Sequence, residues 1–161
     1  MASAGERAAE SFWRFSLMIY ARPGIADALI ALQDHGDHNV NLVLYGLWLG
    51  VCEGVSLDDA GIAHAKHAIG WLDRDVVMPL RRLRRALKDD PDEEVRDLRH
   101  RVLALEIAAE RRVQARLARI APAGDKAGDR RAIAEANLRL ILGGDAASPE
   151  AEALRAAIAL R

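Results

Sequence analysis

Cysteine is nearly absent from this chain of 161 residues: Cys52 stands alone. A single thiol closes no intrachain disulfide, so no disulfide framework holds the fold. Its place in an apolar run reads as a reduced, buried residue of a cytoplasmic protein rather than a nucleophile. Aromatic residues are few, seven in all, and none follows Trp71. Runs of β-branched residues and hairpin turn pairs are missing, which removes a sheet from consideration. Serine is scarce. There is no Gly-x-Ser-x-Gly elbow and no glycine loop of the kind that cradles phosphate, so no recognised catalytic constellation is present and no cofactor is expected. The longest uncharged run, Asn39 to Cys52, falls short of the roughly 20 apolar residues a membrane span needs. Glu6, Arg7 and Glu10 occupy the region where a signal peptide would be basic and then apolar. The net charge is −1, so no global field draws the chain to nucleic acid or to a membrane.

What is present is alanine, leucine and charge. Half of the chain is apolar, 51%, enough for a packed core in one domain of ordinary size. Helical periodicity predicts an all-α, compact domain of about six to seven helices, its aromatic-rich N-terminal helices packed by one long helix. Ser11 is placed to cap a first helix from Phe12 to about Ala21, followed by the break Arg22-Pro23-Gly24. A second helix runs to about Asp34. Asp37 or Asn39 opens a third, which carries Leu42, Val43, Leu44, Leu47, Trp48 and Leu49. Ser56 and Asp59 suggest the start of a fourth. Its stripe from Ile62 to Leu87 keeps phase through Pro79, so a kink there is expected without a change of direction. Asp89-Asp90-Pro91 is a linker, and Asp92 to about Ala121 reads as the longest helix. Pro122 to Gly128 is a loop, Asp129 to Leu142 a further helix, and Ser148-Pro149-Glu150 opens the last. The expected division is a core over 11–121, with 122–161 as peripheral helices.

Several segments resemble a known family. They are Phe12-Trp13-Arg14-Phe15-Ser16-Leu17, Tyr20 with Pro23-Gly24, Leu32-Gln33, and Asn41-Leu42 leading to Leu47-Trp48-Leu49. Trp71, Pro79-Leu80-Arg81 with Arg84-Arg85, and Leu105-Glu106 with Ala109-Glu110 continue the likeness. Together they resemble an uncharacterised bacterial family known only as a domain of unknown function, over roughly residues 11–117. The resemblance implies a helical cytosolic protein and implies no activity.

Three polar features need explaining. His64, His67 and Trp71, with Asp75, share the side of the fourth helix opposite its apolar stripe. They form a binding surface, or Trp71 packs on a second neighbour while the histidines face water. Zinc proteases place two histidines four apart with a glutamate between them; that pattern is absent, and no metal is assigned. His35 and His38, with Asp34 and Asp37, read as turn chemistry. Second, Arg81, Arg82, Arg84, Arg85 and Lys88 form a basic ridge followed by Asp89, Asp90, Asp92, Glu93 and Glu94. It could grip an anion, RNA or an acidic partner, or be neutralised by the acids beside it; no exposed ring falls there, which makes nucleic acid the least favoured partner. Third, Glu106 falls within the apolar stripe of the long helix, flanked by Glu110 and Arg99. A buried carboxylate needs a partner, and an arginine from Arg81–Arg85 is the candidate if the two helices run antiparallel. The sharper alternative is a functional acid with a raised pKa. Gln33 and Asn41 are expected to satisfy buried backbone groups.

Residues 1–80 carry five Lys or Arg and ten Asp or Glu; residues 81–161 carry eighteen and fourteen. Opposite signs on the two halves suggest a polar molecule, or a partner that reads one end. The reading that follows is a helical interaction or adaptor protein that binds another protein or itself. The alternative is a small-ligand binding protein or enzyme with a pocket among the aromatic helices. The candidate residues are His64, His67, Trp71, Arg81, Arg85 and Glu106, and a weaker alternative is anion or nucleic-acid contact through Arg81–Lys88.

Overall fold

The computed structural model describes residues 1–124 and 128–159. Its helices are α1 Ala4–Tyr20, α2 Ile25–Gly36, α3 Val40–Trp48, α4 Asp59–Leu72, α5 Met78–Ala86, α6 Glu93–Arg119, α7 Arg130–Leu142 and α8 Pro149–Ala159. Two π-helical turns extend this set: Leu49–Glu53 prolongs α3, and Asp73–Val77 joins α4 to α5. No strand occurs among the described residues, and the fold is all-α and compact.

Side-chain caps decide where the helices begin. Ser3, not Ser11, starts α1: its hydroxyl accepts from the Glu6 N–H, and the Glu6 carboxylate accepts from the Ser3 N–H in return. This reciprocal pair outcompetes a later start. Ser11 serves tertiary structure instead, accepting from the Trp48 indole Nε1 at 3.2 Å. Asp58 rather than Ser56 caps α4. Asp92 rather than Asp90 caps α6, accepting from the Glu94 N–H at 2.9 Å. Before Pro79 the Met78 N–H reaches back to the Asp73 carbonyl in a π turn. Proline offers no N–H and crowds the carbonyl one turn earlier, and the widened turn accommodates both defects while the rod continues.

α3 is the centre of the molecule, buried from Val40 to Trp48. Phe12 stacks on Trp48 at 5.0 Å, and Tyr45 stacks on Trp48 at 6.0 Å. The aromatic residues do not all enter this core: Tyr20 and Trp71 are exposed. The C-terminal helices do enter it. Ala134, Leu138 and Leu142 of α7 and Ala151, Leu154 and Ile158 of α8 are buried in the same cluster as Phe12 and Trp48. The peripheral placement expected of 122–161 therefore does not describe α7 and α8. Their small residues are what bring α7 against α3. A Cβ on Gly50 would lie 2.3 Å from the Ala134 Cα. Gly50→Ala is expected to lose about 1–3 kcal/mol of stability. Gly70→Ala, in α4 with nothing within 4 Å of the added carbon, should gain about 0.5–1 kcal/mol. Urea denaturation of the two variants checks the contrast.

Asn137, on the apolar face of α7, is fully used. Its amide donates to the carbonyls of Gly46 (3.0 Å) and Val55 (2.9 Å), and its oxygen accepts from the Leu57 N–H at 2.8 Å. These bonds tie the end of α3 and the segment after its π turn to α7. The charge asymmetry of the halves is also met internally. Asp34 pairs with Arg85 at 2.9 Å, and Glu10 with Arg111 at 2.8 Å.

Candidate functional site

α1 lies along the C-terminal part of α6, with Gly5 beside Arg119 and Glu10 beside Arg111. It ends at Tyr20, and the path between α1 and α2 bends by 102°. Beyond that end α6 continues and pairs with α5. A cleft of about 760 Å³ opens between the α1–α2 corner and the α5–α6 hairpin. That volume is in the range of small-molecule sites.

The floor is polar and buried. The Ser16 hydroxyl lies 3.1 Å from both the Phe12 carbonyl and the Gln114 Oε1, its one proton serving either. The Gln114 Nε2 donates to the Asn41 Oδ1 at 3.0 Å. Asn41 thus completes a side-chain relay rather than satisfying backbone, and the Gln33 amide donates to the Asp34 carboxylate at 3.3 Å; the expected backbone role is met by Asn137 instead.

One wall is ionic. Glu106 is buried to 5% side-chain exposure. Arg84 donates to it through Nε at 2.5 Å and through Nη2 at 3.1 Å, and Arg81 Nε does so at 3.3 Å. Arg81 Nη2 also donates to Glu110 at 2.7 Å. The pairing of Glu106 with the Arg81–Arg85 segment follows from α5 and α6 running antiparallel. Arg81, Arg84 and Arg85 of the basic ridge are therefore neutralised by Glu106, Glu110 and Asp34, not by the acids at 89–94. Two cations on the cleft, Lys88 and Arg99, make no ion pair among the described residues. The Arg99 Nε is buried without a hydrogen-bond partner there. The apolar part of the lining is Leu17, Ile30 and Ile107, which are 52%, 51% and 44% exposed, beside Trp13, Tyr20 and Leu103; Leu103 and Ile107 share α6 with Glu106 and Glu110.

Electrostatics follow this layout. Although Tyr20 keeps 38% of its surface exposed, desolvation beside the cleft raises its phenol to about 12, with the Glu110 charge adding to the effect. Burial also raises the Glu110 carboxyl above its ordinary value, against the pull of Arg81. The Arg84 guanidinium is raised by its hydrogen bond to Glu106. A carboxyl raised on folding favours the native state most when protonated: its contribution is present below the ordinary value of 4.5 and is lost as pH rises through the raised value. Glu110→Gln imitates the protonated form. It should stay within about 1 kcal/mol of the wild type at neutral pH, and the variant should show less loss of thermal stability between acidic and neutral pH. Melting curves of both proteins across that range check the sign.

The six candidate residues separate. Arg81, Arg85 and Glu106 meet on the cleft. His64 and His67 are exposed on α4, and Trp71 is 51% exposed under the Arg116 guanidinium at 5.0 Å. These three line neither the cleft nor the adjoining cavity that shares Arg81 and Arg85. Among the described residues, no group of three or more His, Cys, Asp or Glu could hold a metal ion. No single described helix is long and apolar enough to cross a membrane. Ser16, Gln114 and the apolar wall escape a reading of single helices. The one available signal was a polar residue set on an otherwise apolar face, as at Ser16.

The model of a family of proteins of unknown function, DUF2390, matches residues 11–117. The chain belongs to this family. Every residue lining the cleft lies inside the DUF2390 segment, and α7 and α8 lie outside it. No curated protein and no solved structure matches the chain. In this DUF2390 protein the matched segment forms the cleft, while α7 packs on α3 and α8 on α2.

Proposed function

We propose that this DUF2390 protein is a cytoplasmic binding protein for a small amphipathic organic molecule, held in the cleft between the α1–α2 corner and the α5–α6 hairpin. The observation that carries the reading is the cleft's mixed lining. Leu17, Ile30 and Ile107 leave apolar surface in water, and the Arg81–Arg84–Glu106–Glu110 network fixes polar groups beside it. Exposed apolar surface gathered in a concave site marks a place that something covers, and a few fixed polar groups give orientation. Both carboxylates of the network are engaged by arginines, which supports binding rather than catalysis.

A neutral environment-sensitive dye, Nile red, tests it. A saturable, one-to-one rise in fluorescence is expected, weakened at least about tenfold in Leu17→Asp and Ile107→Asp. Both positions are solvent-exposed, so the fold tolerates them. A signal that fails to saturate, or one equal in both variants, would overturn the reading.

The interaction-module reading keeps one supporting observation. Leu98 and Leu105, two turns apart on α6, are exposed on a side of the helix away from the cleft. Their conversion to Asp, followed by analytical ultracentrifugation against the wild type, tests self-association through that face.

A further inference from the structure

We infer that the molecule taken into the cleft carries an oxyanion head, a carboxylate or a phosphate ester, held by Arg99 and Lys88 while its apolar part lies against Leu17, Ile30 and Ile107. This rests on the binding function proposed above and names the ligand class. The first observation is the charge count on the cleft. The cations are Arg81, Arg84, Arg85, Lys88 and Arg99, and the anions are Asp34, Glu106 and Glu110. All three anions are engaged, by Arg81, Arg84 and Arg85. The surplus is positive and is located on two named side chains.

The second observation is independent of charge. The Arg99 Nε is buried and has no hydrogen-bond partner among the described residues. A buried N–H left without an acceptor is costly, and such groups are rare in native proteins. The Nε itself has no surface open to the cleft, so the Nη groups, which make no hydrogen bond among the described residues, are the donors left for the oxygens of a carboxylate or phosphate. An oxyanion seated on them cancels surplus charge. Lys88 lies on the same cleft one turn beyond Arg84 and Arg85 and adds a flexible point charge. A neutral head would leave the surplus charge of Arg99 and Lys88 uncancelled, and a cationic head would meet it with repulsion.

The test is a titration of the full-length protein with decanoate, decyl phosphate and decanol, which share one chain and differ in head. It is run below micelle-forming concentrations and repeated on Arg99→Gln and Lys88→Gln. At least one of the two acids is expected to bind about tenfold or more tightly than decanol, and whichever is tighter identifies the head. Both substitutions should erase most of that preference while leaving decanol binding unchanged. Lys88 is exposed, so its variant informs even if the Arg99 variant folds poorly. Equal binding of acid and alcohol overturns the oxyanion head and leaves the cleft function standing. A preference that survives both substitutions overturns the assignment to these residues. If none of the three binds, the cleft function itself falls.

Discussion

A chain ending at residue 121 is expected to lose its cooperative unfolding transition, although it contains the whole DUF2390 segment. Removing α7 and α8 takes away Leu138, Leu142, Leu154 and Ile158, all buried. At about 1.5–3 kcal/mol for each such side chain, the loss is of the same order as the roughly 5–15 kcal/mol that holds a domain of this size. It also removes the Asn137 amide from the Gly46 and Val55 carbonyls and the Leu57 N–H, which then turn to water instead of fixing the turn after α3. Circular dichroism should show reduced helix and a broad, non-cooperative melt. A sharp transition in the shortened chain would show that the α3 core closes without α7.

Glu106→Ala should be the most damaging single substitution on the cleft. It leaves Arg84 and Arg81 partly buried, with Arg84 deprived of the one ion pair it makes among the described residues. Breaking a buried pair by removing one member costs about 3–5 kcal/mol, which for a chain of this length corresponds to a fall in Tm of roughly 6–20 °C. The cost comes from the uncompensated cation rather than from a lost attraction. The double variant Arg84→Met with Glu106→Leu should therefore recover much of it, because Arg81 keeps Glu110. Failure of the double variant to recover would mean that the network stabilises by its geometry and not merely by cancelling desolvation.

Local chemistry was legible in the sequence, and tertiary closure was not. The helix class, the placement of α3 in the interior and the pairing of Glu106 with an arginine of α5 all follow from periodicity and from the cost of an unpaired buried carboxylate. The start of α1 was misplaced because two competing caps, Ser3 and Ser11, precede the same apolar run, and only the reciprocal Glu6 bond separates them. α7 and α8 looked peripheral because alanines supply much of their buried surface. Small residues allow close approach of helices without advertising burial in a hydropathy pattern, and it is the Gly50–Ala134 contact that reveals it. Trp71, expected with His64 and His67 on a binding surface, lies outside the cleft lining, its ring on the surface under Arg116. The cleft is assembled from residues as distant as Ser16 and Gln114, and helical spacing within one segment carries no information about such meetings.

The three tryptophans provide internal reporters of ligand binding. Trp13 lines the cleft, Trp48 is buried in the core with its indole on Ser11, and Trp71 sits on the exposed face of α4. Their three indole N–H resonances, followed by two-dimensional NMR while decanoate is added, report which region is occupied. Saturable movement of the Trp13 signal, with Trp71 unmoved, is the expected result. Movement of Trp71 with Trp13 still would place the binding face on α4 and contradict the cleft.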